Sequence, residues 1–180
     1  MTDDELNMYL NNYRHIWKTN AEFYTWLRGS LRKALWQFNP IKLDFKKHTP
    51  SLPPPEGYTG RAKMFVQCAL SGDLVPKSTT EVDHVEGNVS LRCIDDILPF
   101  VFHLALPQQL QVVSKEAHKI KSYAEKQGIS FEEAVVVKKA IEIEKGDWKK
   151  WLSDRGVDVK TIKAKDKRKF IIDVLTSNSK

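Results

Sequence analysis

At 180 residues, the chain is long enough to bury a hydrophobic core without disulfides or metals. Its composition, 41% hydrophobic and 29% charged, is ordinary for a soluble protein and unlike that of a disordered chain. No apolar run approaches about 18 residues and the chain opens with the acidic MTDDELN, so we expect no membrane segment and no secretory leader, and a cytoplasmic location. Two cysteines, Cys68 and Cys93, are too few for a disulfide framework or a four-thiolate zinc site.

The first 60 residues divide into a helical part and a proline-rich part. Apolar residues between positions 4 and 38 recur at helical spacing, which predicts two helices or one broken helix. Basic residues alternate there with Trp26 and Trp36, as in a nucleic-acid-binding face, although the aromatic residues also fit a hydrophobic core. Five prolines between positions 39 and 60 disfavour regular helix and predict extended chain. We therefore predict an N-terminal helical extension over residues 1–43 and a linker over residues 44–60.

The central segment, residues 61–127, combines short strands with helices. Met64 to Val66 and Thr79 to Val82 have the composition of strands on either side of a Ser-Gly-Asp turn, which predicts a hairpin. The stretch SLRCIDDILPFVFHLAL predicts a helix with Ser90 as its N-cap. The stretch VVSKEAHKIKSYAEKQG predicts the next helix, with Ser114 as its N-cap.

The C-terminal region, residues 128–180, is predicted to be helical and basic. Ser130 and Glu133 have the spacing of a capping box, and two shorter helices are predicted in DWKKWLSDRG and KDKRKFIIDVLTS. From Lys145 to Lys180 the chain has eleven basic residues and five aspartates, a surplus equal to the net charge of the whole protein, +6. This asymmetry indicates a nucleic-acid-facing surface, with a solvated helical face as the alternative.

Two short motifs, in a fixed order, resemble those of the HNH nucleases. EVDH, residues 81–84, resembles the family's opening V-D-H. LQVVSKEAHKIKS, which starts at Leu110, resembles without a gap the closing motif N-L-Q-x-L-C-x-x-C-H-x-x-K-T. The resemblance covers residues 61–127. It implies an α+β, mostly helical protein, in which a ββα-metal finger core lies between flanking N- and C-terminal helices and holds one divalent cation.

The resemblance assigns roles to four residues. His84 takes the place of the general base, a role that suits an imidazole because its pKa lies near neutrality. Asp83 and His118 take the places of the metal ligands, which leaves most coordination positions to water and phosphate. Mg²⁺ or Mn²⁺ suits this set, and the single imidazole shifts the preference towards Mn²⁺, Ni²⁺ or Zn²⁺. Gln109 takes the place of the middle Asn, which orients the loop that carries the base.

The chain departs from the family at the positions of a structural zinc. Many relatives carry two C-x-x-C pairs, whose four places fall here on Cys68, Ser71, Ser114 and Ala117. One thiol of four cannot hold a structural zinc, so we expect none. We expect apolar packing and the flanking helices to replace the stability that such a metal supplies. Gln109 is a further departure, since its side chain is one methylene longer than that of Asn.

Basic side chains near the proposed site and in the C-terminal region are candidate phosphate contacts. Residues 148–175 loosely resemble a helix-extension-helix module of the SAP type, with a basic second helix. Contacts of this kind bind the DNA backbone without reading its bases. The candidates are Lys119, Lys121, Lys163, Lys165, Lys167, Arg168 and Lys169.

From these observations we predict a metal-dependent HNH endonuclease that cuts or nicks DNA, encoded by a phage or another mobile element. A second hypothesis is a DNA-binding or phage-assembly protein that keeps the finger as a scaffold, which Gln109 and the missing cysteines favour. A third is an inhibitor or adaptor that binds a phage or host protein through its N-terminal aromatic helices.

Overall fold

A computed structural model describes residues 2–87 and 89–177. Within them lie eight α-helices and four short β-strands, which confirms the predicted α+β, mostly helical fold. Contacts divide the chain into two compact units, Met1–Lys115 and Glu116–Lys180, so the predicted core, residues 61–127, spans this division. None of the described helices is both long and apolar enough to cross a membrane. Lys180, counted in the basic tail, lies outside the described residues.

Two capped helices open the first unit, as predicted. Helix α1 is Asp3–Asn11 and begins with a capping box, in which Thr2 and Glu5 exchange hydrogen bonds. Helix α2 is Asn20–Leu31 and continues into a π-helical turn over Arg32–Trp36. Their apolar faces pack against helix α4 and the segment before it, in a core built from Leu6, Leu10, Tyr24, Leu91, Phe100 and Leu104.

The third helix, α3, corrects the prediction of extended chain from position 39. It spans Pro40–His48 and therefore crosses the predicted boundary between residues 43 and 44. Proline is well suited to the first helical position, because the N–H that it lacks has no intrahelical partner there. Residues 50–55 are not helical, and Leu52 forms an antiparallel bridge with Phe65.

Four strands form two antiparallel pairs, and the predicted hairpin was wrong in its partners. Strand β1, Phe65–Gln67, pairs with β2, Leu74–Pro76. Strand β3, Thr80–His84, pairs instead with β4, Leu110–Ser114, a strand that was not predicted and that ends just before the predicted helix begins. The valines of β4 are buried, and the Ala69 N–H donates to the Val112 carbonyl, which joins the two strand pairs.

The segment between β3 and β4 contains helix α4, Ile97–Ala105. It begins later than the predicted Ser90 cap, because a 3₁₀ turn over Ile94–Asp96 precedes it. The Asp96 carboxylate accepts hydrogen bonds from the backbone N–H groups of Arg92 and Cys93, which fixes this start. Pro99 lies in the first turn of α4, where a missing N–H is tolerated.

Helix α5, Lys115–Gln127, follows β4 directly and ends at Gly128, which has a φ of 65°. Three further helices in the second unit are α6, Phe131–Lys145, α7, Trp148–Ser153, and α8, Lys167–Ser177. The predicted Ser130–Glu133 capping box is present at the start of α6. Helices α6, α7 and α8 share a core around three fully buried side chains, Ala140, Leu152 and Ile171.

A buried asparagine ties the turn after α2 to the end of α4. Asn39 is 4% exposed, and its side-chain oxygen caps α3 by accepting from the N–H groups of Ile41 and Lys42. Its amide nitrogen lies 3.1 Å from the Leu35 carbonyl, 2.8 Å from that of Leu104 and 3.1 Å from that of Ala105. One side chain thus satisfies backbone groups from three segments.

We expect Asn39→Ala to lower the free energy of unfolding by about 2–4 kcal/mol, because it removes a helix cap and leaves buried carbonyls without a donor. Urea unfolding at equilibrium measures the change. Asn12→Ala, at an exposed residue after α1, is the matched control and should change stability by less than about 0.5 kcal/mol. Equal effects of the two substitutions would contradict this role of Asn39.

Candidate functional site

Asp83 and His84 end strand β3, opposite Gln111 and Leu110 of β4. Burial alternates along β3, with His84 on the buried face and Asp83 on the more exposed face. Successive strand residues point to opposite sides of a sheet, so the two side chains leave β3 in opposite directions. The predicted general base and the predicted metal ligand therefore lie on opposite faces of β3.

The His84 ring lies between two other aromatic rings and is 7% exposed. Its centroid is 3.9 Å from that of His103 and 4.3 Å from that of Trp36, with interplanar angles of 24° and 26°. The Lys42 ammonium lies 4.7 Å from the Trp36 ring centroid. A cation, an indole and two imidazoles are therefore associated in one stacked group.

A backbone carbonyl fixes the tautomer of His84. The His84 Nε2 atom is 3.1 Å from the His103 carbonyl oxygen. A carbonyl can only accept a hydrogen bond, so Nε2 carries the hydrogen and Nδ1 is the nitrogen that can take a proton from another group. Burial lowers the pKa of the His103 ring, and the nearby Arg32 guanidinium lowers it further. His103 is therefore neutral at neutral pH and adds no positive charge beside His84.

The loop after His84 is held by two glutamines. The Gln111 side-chain amide donates to the His84 carbonyl at 3.2 Å, and the Val85 N–H donates to the Gln109 carbonyl at 2.8 Å. Gln109 thus holds the loop through its backbone, whereas the carboxamide contact predicted for Gln109 is made by Gln111. Gln109 has a φ of 50° and is the only non-glycine residue with positive φ in the described part of the chain. Asn adopts this conformation more readily than Gln does.

An open cleft of about 640 Å³ lies beside His103 and Gln109. Its lining combines apolar side chains with amide, imidazole and carboxylate groups. Such a mixed lining is typical of sites that orient a ligand with a few polar contacts. The lining residues are Glu86, Val89, Pro99, Phe102, His103, Leu106, Gln108 and Gln109.

Three of the four positions that the HNH resemblance aligns with zinc ligands lie together. The Ser114 N–H donates to the buried Cys68 sulfur at 3.3 Å, and the Ser71 hydroxyl also donates to it. Burial raises the pKa of the Cys68 thiol, but these hydrogen bonds outweigh burial and lower the pKa overall. Hydrogen bonds at the Cys68 sulfur therefore link these three positions, while the replacement of a structural metal by apolar packing stays a prediction.

The motif residues on α5 belong to the second unit. His118 is half-buried in the second turn of α5, and Lys119 is exposed. Lys121 is only 9% exposed and lies 3.5 Å from the Glu125 carboxylate, so it does not present its charge to solvent as a phosphate contact would. Because Asp83 belongs to the first unit, its sharing of a cation with His118 stays a prediction from the motif.

The basic tail contains both paired and exposed cations. Lys167 and Arg168 lie 3.2 Å and 2.6 Å from the Glu144 carboxylate, and these contacts, that of Arg168 above all, lower the pKa of Glu144. The remaining candidates, Lys163, Lys165 and Lys169, are exposed. These three are the better candidates for phosphate contacts, since no ion pair within the described part of the chain would have to break for them to bind an anion.

Sequence reasoning missed three residues that contact His84, namely Trp36, His103 and Gln111. A signal existed for two of them. His103 is an imidazole within an otherwise apolar stretch, and Gln111 occupies the Gln place of the closing motif. Among the described residues, no group of three or more His, Cys, Asp or Glu side chains is arranged to hold a metal ion.

Comparisons with protein-family models, with curated proteins and with solved structures found no match to this chain.

From the motif alignment alone, we expect Ser71→Cys, Ser114→Cys and Ala117→Cys, made together beside native Cys68, to create a zinc site, because four thiolates hold structural zinc and binding stabilises the folded state. Metal analysis and thermal unfolding with and without chelator test this. The same triple variant carrying Cys68→Ser is the control and should bind zinc more weakly. Stoichiometric zinc whose removal unfolds the wild-type protein, or no zinc in the triple variant, would contradict the alignment of the motif.

We expect Gln109→Asn to raise the free energy of unfolding by about 0.5 kcal/mol, because Asn adopts positive φ at lower cost. Gln109→Val should lower it by about 1–2 kcal/mol, since a β-branched residue is strained there. Denaturant unfolding measures both, and Gln108→Asn at the neighbouring exposed position is the control. A loss of stability in Gln109→Asn would show that the Gln side chain itself matters.

Proposed function

We propose that this protein is a metal-dependent endonuclease of the HNH type that cuts or nicks DNA. The observation that carries the proposal is the antiparallel β3–β4 pair, which ends on Asp83 and His84 and continues directly into α5. This strand–strand–helix order is that of the ββα-metal finger that the resemblance implies, with β4 in place of the partner strand that the sequence predicted. The grouping of Cys68, Ser71 and Ser114 supports the same alignment, because it concerns positions far apart in sequence.

In this proposal His84 acts as the general base. Its Nδ1 takes a proton from the water that attacks the phosphorus atom, while Nε2–H remains bonded to the His103 carbonyl. That hydrogen bond holds the ring in place while the proton moves, and the Trp36 ring stacks against one face of the imidazole. Because His84 is almost fully buried, the proposal requires Trp36 or the strand-end loop to shift when DNA binds.

Asp83 fits the role of a cation ligand. Its carboxylate is a hard oxygen donor at a strand end, on the more exposed face of β3. The motif adds His118 as the second ligand. Mg²⁺ or Mn²⁺ suits these donors best, with Ni²⁺ and Zn²⁺ as alternatives. When bound, the cation would neutralise charge on the phosphate and the leaving oxygen.

The exposed lysines of the second unit supply a sequence-independent grip on DNA in this proposal. Lys163, Lys165 and Lys169 contact backbone phosphates, so affinity falls steeply as salt rises. The tail also contributes Ile171 of α8 to the folded core of the second unit. Removing the tail would therefore disturb folding, so single substitutions of these lysines are the cleaner test. Such a protein acts where phage and host DNA are found, in the host cytoplasm.

A second candidate function is DNA binding or phage assembly without cleavage. The enclosure of His84 between Trp36 and His103 favours it, because a general base must reach water. The replacement of the family Asn by Gln109 points the same way. In this case the stacked rings serve as packing, and the finger persists as a scaffold.

We expect His84→Ala to retain DNA and metal binding and to lose about 10²- to 10⁴-fold in the rate of plasmid nicking, the usual cost of removing a general base. Asp83→Ala and His118→Ala should instead weaken metal binding, so that extra Mn²⁺ partly restores nicking in these two variants only. Supercoiled plasmid with Mg²⁺, Mn²⁺, Ni²⁺, Zn²⁺ or chelator provides the assay. His48→Ala, an exposed histidine on α3, is the matched control.

Intact plasmid with the wild-type protein in every metal, together with normal DNA binding, would contradict cleavage and favour the scaffold function. Equal nicking by wild type and His84→Ala would point to a different base or to a contaminating nuclease.

A further inference from the structure

Four aromatic side chains cluster on α2 and the turn before it, and we call Tyr13, Trp17, Phe23 and Trp26 the aromatic platform. Trp17 and Phe23 form its inner part, which packs against the core of the first unit. Their ring centroids are 5.3 Å apart. Trp26 lies 5.2 Å from Trp17 and 5.9 Å from Phe23, and Tyr13 lies 6.4 Å from Trp17.

The two outer rings of the platform are half-exposed. Trp26 is 51% exposed and Tyr13 is 49% exposed, whereas Trp17 and Phe23 are more buried. Each outer ring rests against an inner ring, which holds it in position and leaves much of its surface open to solvent. Large aromatic rings fixed in this way are suited to stacking against a flat ligand, since little side-chain entropy is lost on binding.

The chain segment that carries the platform is rich in basic residues. Residues 12–36 contain five Lys or Arg residues and one acid, Glu22. The Arg14 guanidinium contacts the amide oxygens of Asn7, Asn11 and Asn20, which orient it without cancelling its charge. Arg28 contacts only a hydroxyl among its hydrogen-bond partners in the described residues, that of Thr25, and Lys18 is exposed.

We propose that the aromatic platform binds single-stranded nucleic acid, with bases stacked on Trp26 and Tyr13 and phosphates held by Arg14, Lys18 and Arg28. Stacked bases and a polyanionic backbone match exposed rings among cations. An apolar protein partner would bury these cations without carboxylates to pair them, which is costly. Binding to the platform does not depend on cleavage. What binding to the platform does for the protein rests on the proposed function: a nuclease with this surface would favour DNA that has an unpaired strand.

Fluorescence anisotropy with a labelled oligothymidylate of about 12 nucleotides, within the usual site size for single strands, tests the proposal. A duplex of the same length is measured in parallel. We expect Trp26→Ala to weaken single-strand binding by about 5- to 100-fold, the usual effect of losing one stacked base, and to change duplex affinity by less than about 2-fold. Trp26→Phe should keep most of the single-strand affinity. Tyr9→Ala, an exposed aromatic residue on the acidic helix α1, is the matched control and should have no effect.

A second measurement does not depend on the aromatic substitutions. Arg28→Gln should reduce the slope of log affinity against log salt by about 0.7 for the single strand, because one phosphate contact is lost. Thermal unfolding of each variant checks that it is folded. If Trp26→Ala does not fold, the single-strand affinity of Trp26→Phe and the salt dependence of Arg28→Gln test the proposal instead. Unchanged single-strand affinity in Trp26→Ala, or equal losses on single strand and duplex, would overturn the proposal. Nicking of plasmid by Trp26→Ala at the wild-type rate would leave the proposed function intact in either case.

Discussion

The antiparallel pairing of β3 with β4 is the interaction on which the candidate site depends. Packing of Val82 and Val112 with Val66 fixes its register, because these side chains must share one buried face. A slip of one residue would turn His84 towards solvent and force Asp83 into the core. The register of a five-residue ladder therefore decides which of the two adjacent groups is enclosed and which is accessible.

The same pairing fixes the positions of groups far apart in sequence. It brings residues 109–111 back beside His84. There the Gln109 carbonyl and the Gln111 side chain hydrogen-bond to the loop after His84. At the other end of the ladder, Ser114 reaches the Cys68 sulfur. One strand pair thus carries both the candidate catalytic residue and Ser114, a position that the proposed alignment with HNH motifs assigns to a zinc ligand.

The rings on either side of His84 come from separate parts of the chain. Trp36 ends the π-helical turn after α2, and His103 lies in α4. Asn39 joins the two segments, since its side chain contacts carbonyls at the end of α4 and one in the turn that carries Trp36. Breaks in regular helical geometry such as this π-helical turn often occur at functional sites and allow local movement. Movement of Trp36 alone would uncover one face of His84 while the His103 carbonyl still held Nε2.

Local sequence signals predicted much of the helical structure, whereas contacts between distant residues could not be predicted. The Ser130–Glu133 capping box and the end of α5 at Gly128 depend only on residues close in sequence, so both could be predicted from the sequence. Strand β4 could not, because LQVVS becomes a strand only through its pairing with β3. Helix α3 was not predicted because Pro40 stands near the later prolines, although Asn39 before it is a strong cap.

The motifs located Asp83 and His84 at a strand end, and two-residue alternation could have predicted their opposite faces. The stack of Trp36 and His103 on His84 depends on the tertiary fold.

The most direct measurement is a crystal structure of the protein with an uncleavable DNA duplex and Mn²⁺, with the metal located by its anomalous scattering. A nuclease predicts a manganese peak on the Asp83 carboxylate, a backbone phosphate beside it, and a Trp36 ring that has moved away from His84. A bound duplex with no manganese at Asp83, and with Trp36 still stacked on His84, would contradict cleavage at this site.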